Sequence, residues 1–237
     1  MAIKLKSVLR NPKLRLALKA LVFAGFFQLI KLGDFGFWPV LLFTAATIFF
    51  YSVPLFRTLE LMSVLLVFFA DALLISWTFL ASSYFSLLTL YFAAVFYLIL
   101  GVKDLAFTNR EVWYRILNVA LAYPAFILFF YNSQSALLPK TVLIFLATLI
   151  LVKSVINKKI AVWLITFLTL EILWAISLLP IGFINSANLA LLVYFALIDL
   201  AYHYYVSKNL SHRKILTNST VFLIVVLLIL GFSRWSL

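Results

Sequence analysis

Long apolar blocks separated by short basic segments run along the whole of this 237-residue chain. Each block is about 20 residues long, the length that a helix needs to cross roughly 30 Å of hydrocarbon at 1.5 Å per residue. A transmembrane barrel would instead show short segments of alternating polarity. The pattern therefore predicts an all-α fold, a polytopic bundle of transmembrane helices.

Composition agrees with a membrane environment, since 66% of the residues are hydrophobic and 11% are charged. Soluble domains carry about 25% charged residues. The net charge of +12 comes from basic residues between the apolar blocks, where they contact anionic lipid headgroups. We therefore expect membrane lipids as partners, leave other membrane proteins open as partners, and expect no nucleic acid. Because the chain has no cysteine and no metal motif such as H-E-x-x-H, we expect no metal and no cofactor.

Nine spans are predicted after a basic cytoplasmic or interfacial tail of residues 1–15. The remaining residues, 16–237, are expected to form a single helical domain because no long linker interrupts them. The predicted spans are residues 16–31, 37–56, 59–81, 84–101, 112–131, 138–156, 160–181, 187–206 and 215–233.

Loops rich in basic residues alternate with loops poor in basic residues along these spans. With nine spans, 15 Lys and Arg residues fall on one side of the membrane, 3 fall on the other, and Lys19 lies within the first span. Basic loops stay on the cytoplasmic side. The charge pattern therefore predicts a cytoplasmic amino terminus and an outside carboxyl terminus, and we assign the chain to a bacterial cytoplasmic membrane.

Four ionisable residues inside the apolar blocks form the candidate intramembrane polar site: Asp71, Glu171, Asp199 and His203. An ionised Asp at the bilayer centre costs about 2.5–3.5 kcal/mol even on the insertion scale. Asp199 and His203 are four residues apart, so a helix places them on one face. The group is interpreted either as a proton or cation relay, or as neutral carboxyls that join helices through hydrogen bonds.

Basic residues at the predicted cytoplasmic ends are candidate lipid headgroup contacts. Guanidinium groups bind phosphate in a bidentate manner, and lysines attract anionic lipids. The candidates are Arg110, Arg115, Lys158, Lys159, Arg213 and Lys214.

Asp34 is the only acid in the predicted outside loops, within the segment KLGDFGFWP. Its position resembles that of the catalytic acid in the first external loop of membrane glycosyltransferases that use lipid-linked sugar donors. The resemblance implies a catalytic role for Asp34 on a lipid substrate. As a residue between Gly33 and Gly36, Asp34 is also typical of a turn.

Three function classes follow from these patterns. The sequence has no G-x-S-x-G and no P-loop, so catalysis is not favoured. Only Gly25 and Pro124 interrupt the interior of a span, whereas transporters commonly break their helices at the midplane. We therefore expect a noncatalytic structural or accessory membrane subunit. The alternatives are a small proton- or cation-coupled transporter that uses the candidate polar site and, third, a lipid-substrate membrane enzyme.

Overall fold

The structure is a computed structural model that describes residues 12–53, 61–131, 137–156, 158–207 and 212–233. Most of the predicted basic tail, residues 1–11, lies outside this part. The described residues form nine α-helices and no strand, which confirms the all-α prediction. The helices are α1 (Pro12–Leu32), α2 (Phe37–Ser52), α3 (Met62–Phe79), α4 (Phe85–Lys103), α5 (Arg110–Phe130), α6 (Leu137–Val155), α7 (Lys159–Ser177), α8 (Phe183–Tyr202) and α9 (His212–Phe232), and a π-helical turn, His203–Ser207, follows α8.

Six of the described helices, α3 to α8, are long and apolar enough to cross a membrane. The helix α2 has 16 residues, and the described apolar part of α9 covers only Thr220–Phe232. Helix α1 has 21 residues but contains Lys13, Arg15, Lys19 and Lys31. Charge in α1 and the 16-residue length of α2 therefore separate these two helices from the other six, whereas the side chains of α9 are described only from Thr220 onward.

The chain divides into two compact units, Met1–Leu117 and Asn118–Leu237. In the first unit, α1 packs against α2 and α4, and α3 packs against α4. In the second unit, α6 packs against α7, α7 against α8, and α8 against α9. The single domain expected from the sequence stays a prediction.

A cluster of phenylalanine rings forms the core of the first unit. Phe23 and Phe27 lie on the buried face of α1, and the ring of Phe23 stacks on Phe96 of α4 at 4.5 Å between centroids. Phe68 of α3 packs 5.6 Å from Phe23, and Phe43 of α2 packs 5.3 Å from it. Because lipid tails are as apolar as these side chains, close packing rather than escape from water holds the helices together. Aromatic pairs add about 0.5–1.5 kcal/mol each beyond the area that they bury.

The loop after α4 folds back over the end of that helix. Leu105 has a positive φ of 54°, and the Ala106 amide donates to the Gly101 carbonyl at 3.0 Å. This turn lays the Phe107 ring against Gly101, and the ring also stacks on Trp113 of α5 at 4.6 Å. A Cβ added to Gly101 would lie 2.1 Å from Phe107 Cε2. Gly101 is therefore needed for the close approach of the loop.

We expect Gly101→Ala to lower the free energy of unfolding by about 1–3 kcal/mol, because the new methyl group forces Phe107 off Trp113. Thermal unfolding of the purified protein in detergent measures the change. Gly25→Ala is the matched control, since a Cβ there meets nothing within 4 Å. Equal unfolding temperatures for the two variants would show that the Phe107 contact does not constrain the loop.

Candidate functional site

Most buried hydroxyl groups among the described residues bond to their own helix. Each donates to the carbonyl four residues earlier, as Ser and Thr commonly do in apolar helices. These pairs are Thr47 to Phe43, Ser76 to Ala72, Thr89 to Phe85, Thr148 to Ile144, Thr166 to Val162 and Thr169 to Ile165, at 2.6–3.0 Å. The hydroxyl hydrogens are therefore used within their own helices, and Thr89 Oγ1 also accepts a hydrogen bond from Gln28 Nε2 of α1 at 2.9 Å.

Two lysines donate hydrogen bonds to the last carbonyl groups of α2. Lys19 Nζ of α1 donates to the Phe50 carbonyl at 3.1 Å and also to the Val53 carbonyl. Lys103 Nζ at the end of α4 donates to the Tyr51 carbonyl, although the residue is only 2% exposed. The last carbonyls of a helix have no partner within it, and positive charge is favourable there. This pair of lysines therefore ties α1 and α4 to the end of α2.

Asp104 completes this cluster of charges just beyond the end of α4. Its Oδ1 lies 4.0 Å from Lys103 Nζ, and both carboxylate oxygens are buried without a hydrogen bond. Burial raises the pKa of Asp104 above its usual value, while the charges of Lys103, Lys19 and Arg15 oppose the shift. The ionised carboxylate therefore costs more in the folded protein than in the unfolded chain.

We expect acidification to favour wild-type protein over Asp104→Asn. Since the pKa of Asp104 is raised on folding, the unfavourable burial of its charge is complete at neutral pH and is relieved as the pH falls through the folded pKa toward the unfolded value. Below the unfolded pKa no further change follows. Unfolding temperatures of the two proteins, measured from neutral pH down to about pH 4, give the difference.

Asp34→Asn, in an exposed turn, controls for general effects of acid on the fold. A wild-type protein that loses stability relative to Asp104→Asn on acidification would contradict the assignment, because it would mean that the ionised carboxylate stabilises the fold.

A buried hydrogen-bonded group joins three helices of the second unit. Tyr194 Oη of α8 donates to Asn118 Oδ1 of α5 at 2.7 Å. Asn118 Nδ2 in turn donates to the Leu151 carbonyl of α6 at 2.6 Å. Hydrogen bonds of this kind between membrane helices contribute about 0.6–2 kcal/mol. Sequence reasoning missed this group, although an Asn inside an apolar block is the signal that could have indicated it.

Asp199 and His203 are brought together as the four-residue spacing predicts. Asp199 Oδ1 lies 3.7 Å from His203 Nε2, and both side chains are partly exposed. His203 begins the π-helical turn that follows α8. Turns of this kind are frequent at functional sites because they re-aim side chains.

The deepest acids have opposite surroundings. Asp71 of α3 is 1% exposed, and its Oδ2 has no hydrogen-bond partner. Glu171 of α7 is exposed on the outer surface of the helix. The two acids belong to different compact units. The same sequence pattern, an acid inside an apolar block, thus corresponds to a buried carboxyl at Asp71 and to a surface carboxyl at Glu171.

Glu171 and Asp199 do not converge. The helices α7 and α8 are packed neighbours joined by residues 178–182, so they run in opposite directions. At 1.5 Å per residue, Glu171 lies about 9 Å from the joined end of the pair and Asp199 about 24 Å from it. Their separation along the helices, about 15 Å, is too large for the two carboxyls to share a hydrogen bond or a single bound cation.

Glu171 lies in the middle of an otherwise apolar exposed strip that runs along α7 to Leu178, the residue after the helix, and is here named the α7 stripe. Spacings of four and three residues alternate along the strip, which is the pattern of a helix that packs along another helix. The members of the α7 stripe are Ile160, Leu164, Phe167, Glu171, Trp174 and Leu178, and all six are exposed.

The predicted headgroup contacts lie at the beginnings of alternate helices. Arg110 begins α5, Lys159 begins α7 with Lys158 directly before it, and Arg213 and Lys214 lie in the first turn of α9. Arg115 follows in the second turn of α5, and both arginines of α5 are partly exposed. Positive charges are unfavourable near the amino terminus of a helix, so stabilisation of the helices does not explain why these basic residues lie there. Free backbone amides at the same place favour a phosphate.

Asp34 occupies the tight turn between α1 and α2. It is exposed and has a φ of 45°, and the Gly36 amide donates to the Gly33 carbonyl at 2.8 Å. Asp tolerates this left-handed conformation better than most residues. The described residues contain no group of three or more His, Asp or Glu residues that could hold a metal ion.

The fold defines the class: the described residues form an all-helical protein, and six of its helices are long and apolar enough, by length and composition, to cross a membrane. No protein-family model, no curated protein and no solved structure matches the chain.

Proposed function

We propose that the chain is a noncatalytic accessory subunit that binds another membrane protein through the α7 stripe. The observation that supports this proposal is the exposure of Glu171 in the middle of an apolar transmembrane helix. An acid at this depth faces hydrocarbon unless another molecule covers it. A partner protein is the molecule that can supply a matching polar group within the bilayer.

The position of Glu171 prevents the carboxyl from reaching water along its own helix. It lies about 9 Å from the nearer end of α7, which is more than a Glu side chain extends. The residues that follow, Leu178 and Leu179, are also apolar. Leaving a charged carboxyl in this position costs about 2.5–3.5 kcal/mol by analogy with Asp, and a partner helix removes that cost.

We also propose nine spans, with the amino terminus in the cytoplasm of a bacterium and the carboxyl terminus outside. Basic residues at the beginnings of α5, α7 and α9 support this orientation, because alternate helices begin on the same side of a membrane. The bonds from Lys19 to the end of α2 support a membrane-crossing α1, since they satisfy its charge within the protein. Anionic lipids would then bind the six candidate headgroup contacts.

A photoreactive phenylalanine analogue placed at Phe167 or Trp174 tests the proposed binding face in the cells that make the protein. We expect each site to give one discrete covalent adduct, and we expect Glu171→Leu to abolish it, because the carboxyl fixes the partner. The adducts are measured by mass shift on a gel and identified by mass spectrometry.

Leu90 on α4 is the matched control position, because it is exposed on another apolar helix. The proposal predicts no discrete adduct there. Equal labelling at Leu90 and Trp174, or an adduct at Trp174 that survives Glu171→Leu, would contradict a specific partner on the α7 stripe.

Asp71 favours a second candidate function, a small proton- or cation-coupled transporter. Its buried carboxyl has one oxygen without a hydrogen-bond partner, as expected of a group that takes up a proton or a cation. In this alternative Asp199 and His203 would exchange protons near the cytoplasm, and their contact at 3.7 Å supports the pair. Glu171 would have no place in the same cavity as Asp199.

For the transport alternative, we expect proteoliposomes that contain the wild-type protein to show a proton flux that Asp71→Asn abolishes, because the amide cannot release a proton. A pH-sensitive dye trapped inside the liposomes measures the flux. Asp34→Asn, in the exposed turn, is the control. A wild-type protein without flux above empty liposomes, or an Asp71→Asn variant with full flux, excludes this function.

A further inference from the structure

We propose that the α7 stripe binds a transmembrane helix that carries a lysine or arginine at the depth of Glu171. This inference rests on the proposed function, and it specifies the chemistry of the partner. It follows from the spacing of the stripe, from its single charge, and from the poor fit of a second copy of this chain.

The spacing of the α7 stripe determines how a partner helix would lie. Successive members are separated by four, three, four, three and four residues, an average close to 3.5. A repeat of 3.5 residues keeps a contact surface facing one partner along the whole length of a helix pair. The partner would therefore cross α7 at about 20° and contact it over several turns, rather than touch it at one point.

The chemistry of the stripe determines what the partner must carry. Glu171 is the only polar member, and it is flanked by Phe167 and Trp174, which would exclude water once a helix covers them. A lysine or arginine at the same depth would neutralise the carboxylate and bond to it. A basic residue alone in a bilayer is itself unfavourable. Each helix would therefore need the other helix to neutralise its charge.

A second copy of this chain is a poorer occupant of the same surface. If two α7 stripes packed together symmetrically, Glu171 of one copy would face Glu171 of the other. Two ionised carboxylates at such a distance repel each other, which would oppose this packing. The five other members of the stripe are apolar and offer no compensating charge. Charge complementarity therefore favours a different helix with a basic residue.

Designed transmembrane peptides test this inference with the full-length protein. The purified chain is placed in phosphatidylcholine nanodiscs and labelled at one cysteine introduced at Lys158, since the chain has no natural cysteine. The probes are three leucine-rich peptides of about 23 residues, long enough to span the bilayer. One carries a single lysine at the depth of Glu171, one carries it two turns away, and one carries none.

Energy transfer between the protein and each peptide measures binding. We expect the peptide with the aligned lysine to bind at least about tenfold more tightly than the peptide without lysine, which corresponds to about 1.4 kcal/mol. Glu171→Gln should abolish this preference, because the amide keeps a similar shape and loses the charge. The peptide with the displaced lysine should bind no better than the peptide without lysine.

Exchanging the charges of the protein and the peptide provides a second test that holds if Glu171→Gln is poorly folded. A peptide with an aligned glutamate should bind Glu171→Lys and not the wild-type protein. Circular dichroism and gel filtration show which variants are folded. Trp77→Ala, at an exposed aromatic residue of α3 outside the stripe, is the control and should leave binding of the lysine peptide unchanged.

Two results would overturn the inference. Equal binding of the lysine and leucine peptides to wild-type protein would show that charge does not select the partner, and a Glu171-dependent adduct in cells would still support the proposed function. Glu171-dependent energy transfer between two labelled copies of the chain, without preference for the lysine peptide, would instead assign the surface to a homodimer.

Discussion

Polar groups in hydrocarbon must find their partners within protein, and this constraint explains most of the bonding in the described chain. Ser and Thr hydroxyl groups return to their own helices, as the bond from Thr47 to Phe43 illustrates. The last carbonyls of α2 accept hydrogen bonds from Lys19 and Lys103, which bring helices from distant parts of the sequence to the same place. Asn118 joins three helices of the second unit in the same way.

Two acids, Asp71 and Glu171, do not follow this pattern of hydrogen bonding, and they support different functions. Asp71 has a carboxyl oxygen that is buried without a hydrogen bond, which favours the uptake of a proton or cation. Glu171 faces away from the described core in the middle of an apolar strip, which favours a partner outside the chain. The exposed position of Glu171 leads here because a partner outside the chain can reach its carboxyl, whereas the carboxyl of Asp71 is enclosed by the protein itself.

The positions of the helices were predictable from the sequence, but which face of each helix is buried was not. The block 84–101, for example, became Phe85–Lys103, because the length of an apolar block is a local property. The pairing of Asp199 with His203 is local as well. In a membrane, however, core and lipid are both apolar, so no pattern distinguished the buried Asp71 from the exposed Glu171. The bond between Lys103 and the Tyr51 carbonyl depends on packing between residues 52 apart in sequence.

The most direct measurement is an experimental structure of the protein extracted from its own membrane together with the surrounding lipid. The account predicts a transmembrane helix of another protein along the α7 stripe, with a basic side chain within hydrogen-bond distance of Glu171. A map in which lipid chains alone cover the α7 stripe would contradict the accessory role. A map in which the stripe packs against a second copy would keep a binding role and reject the basic partner.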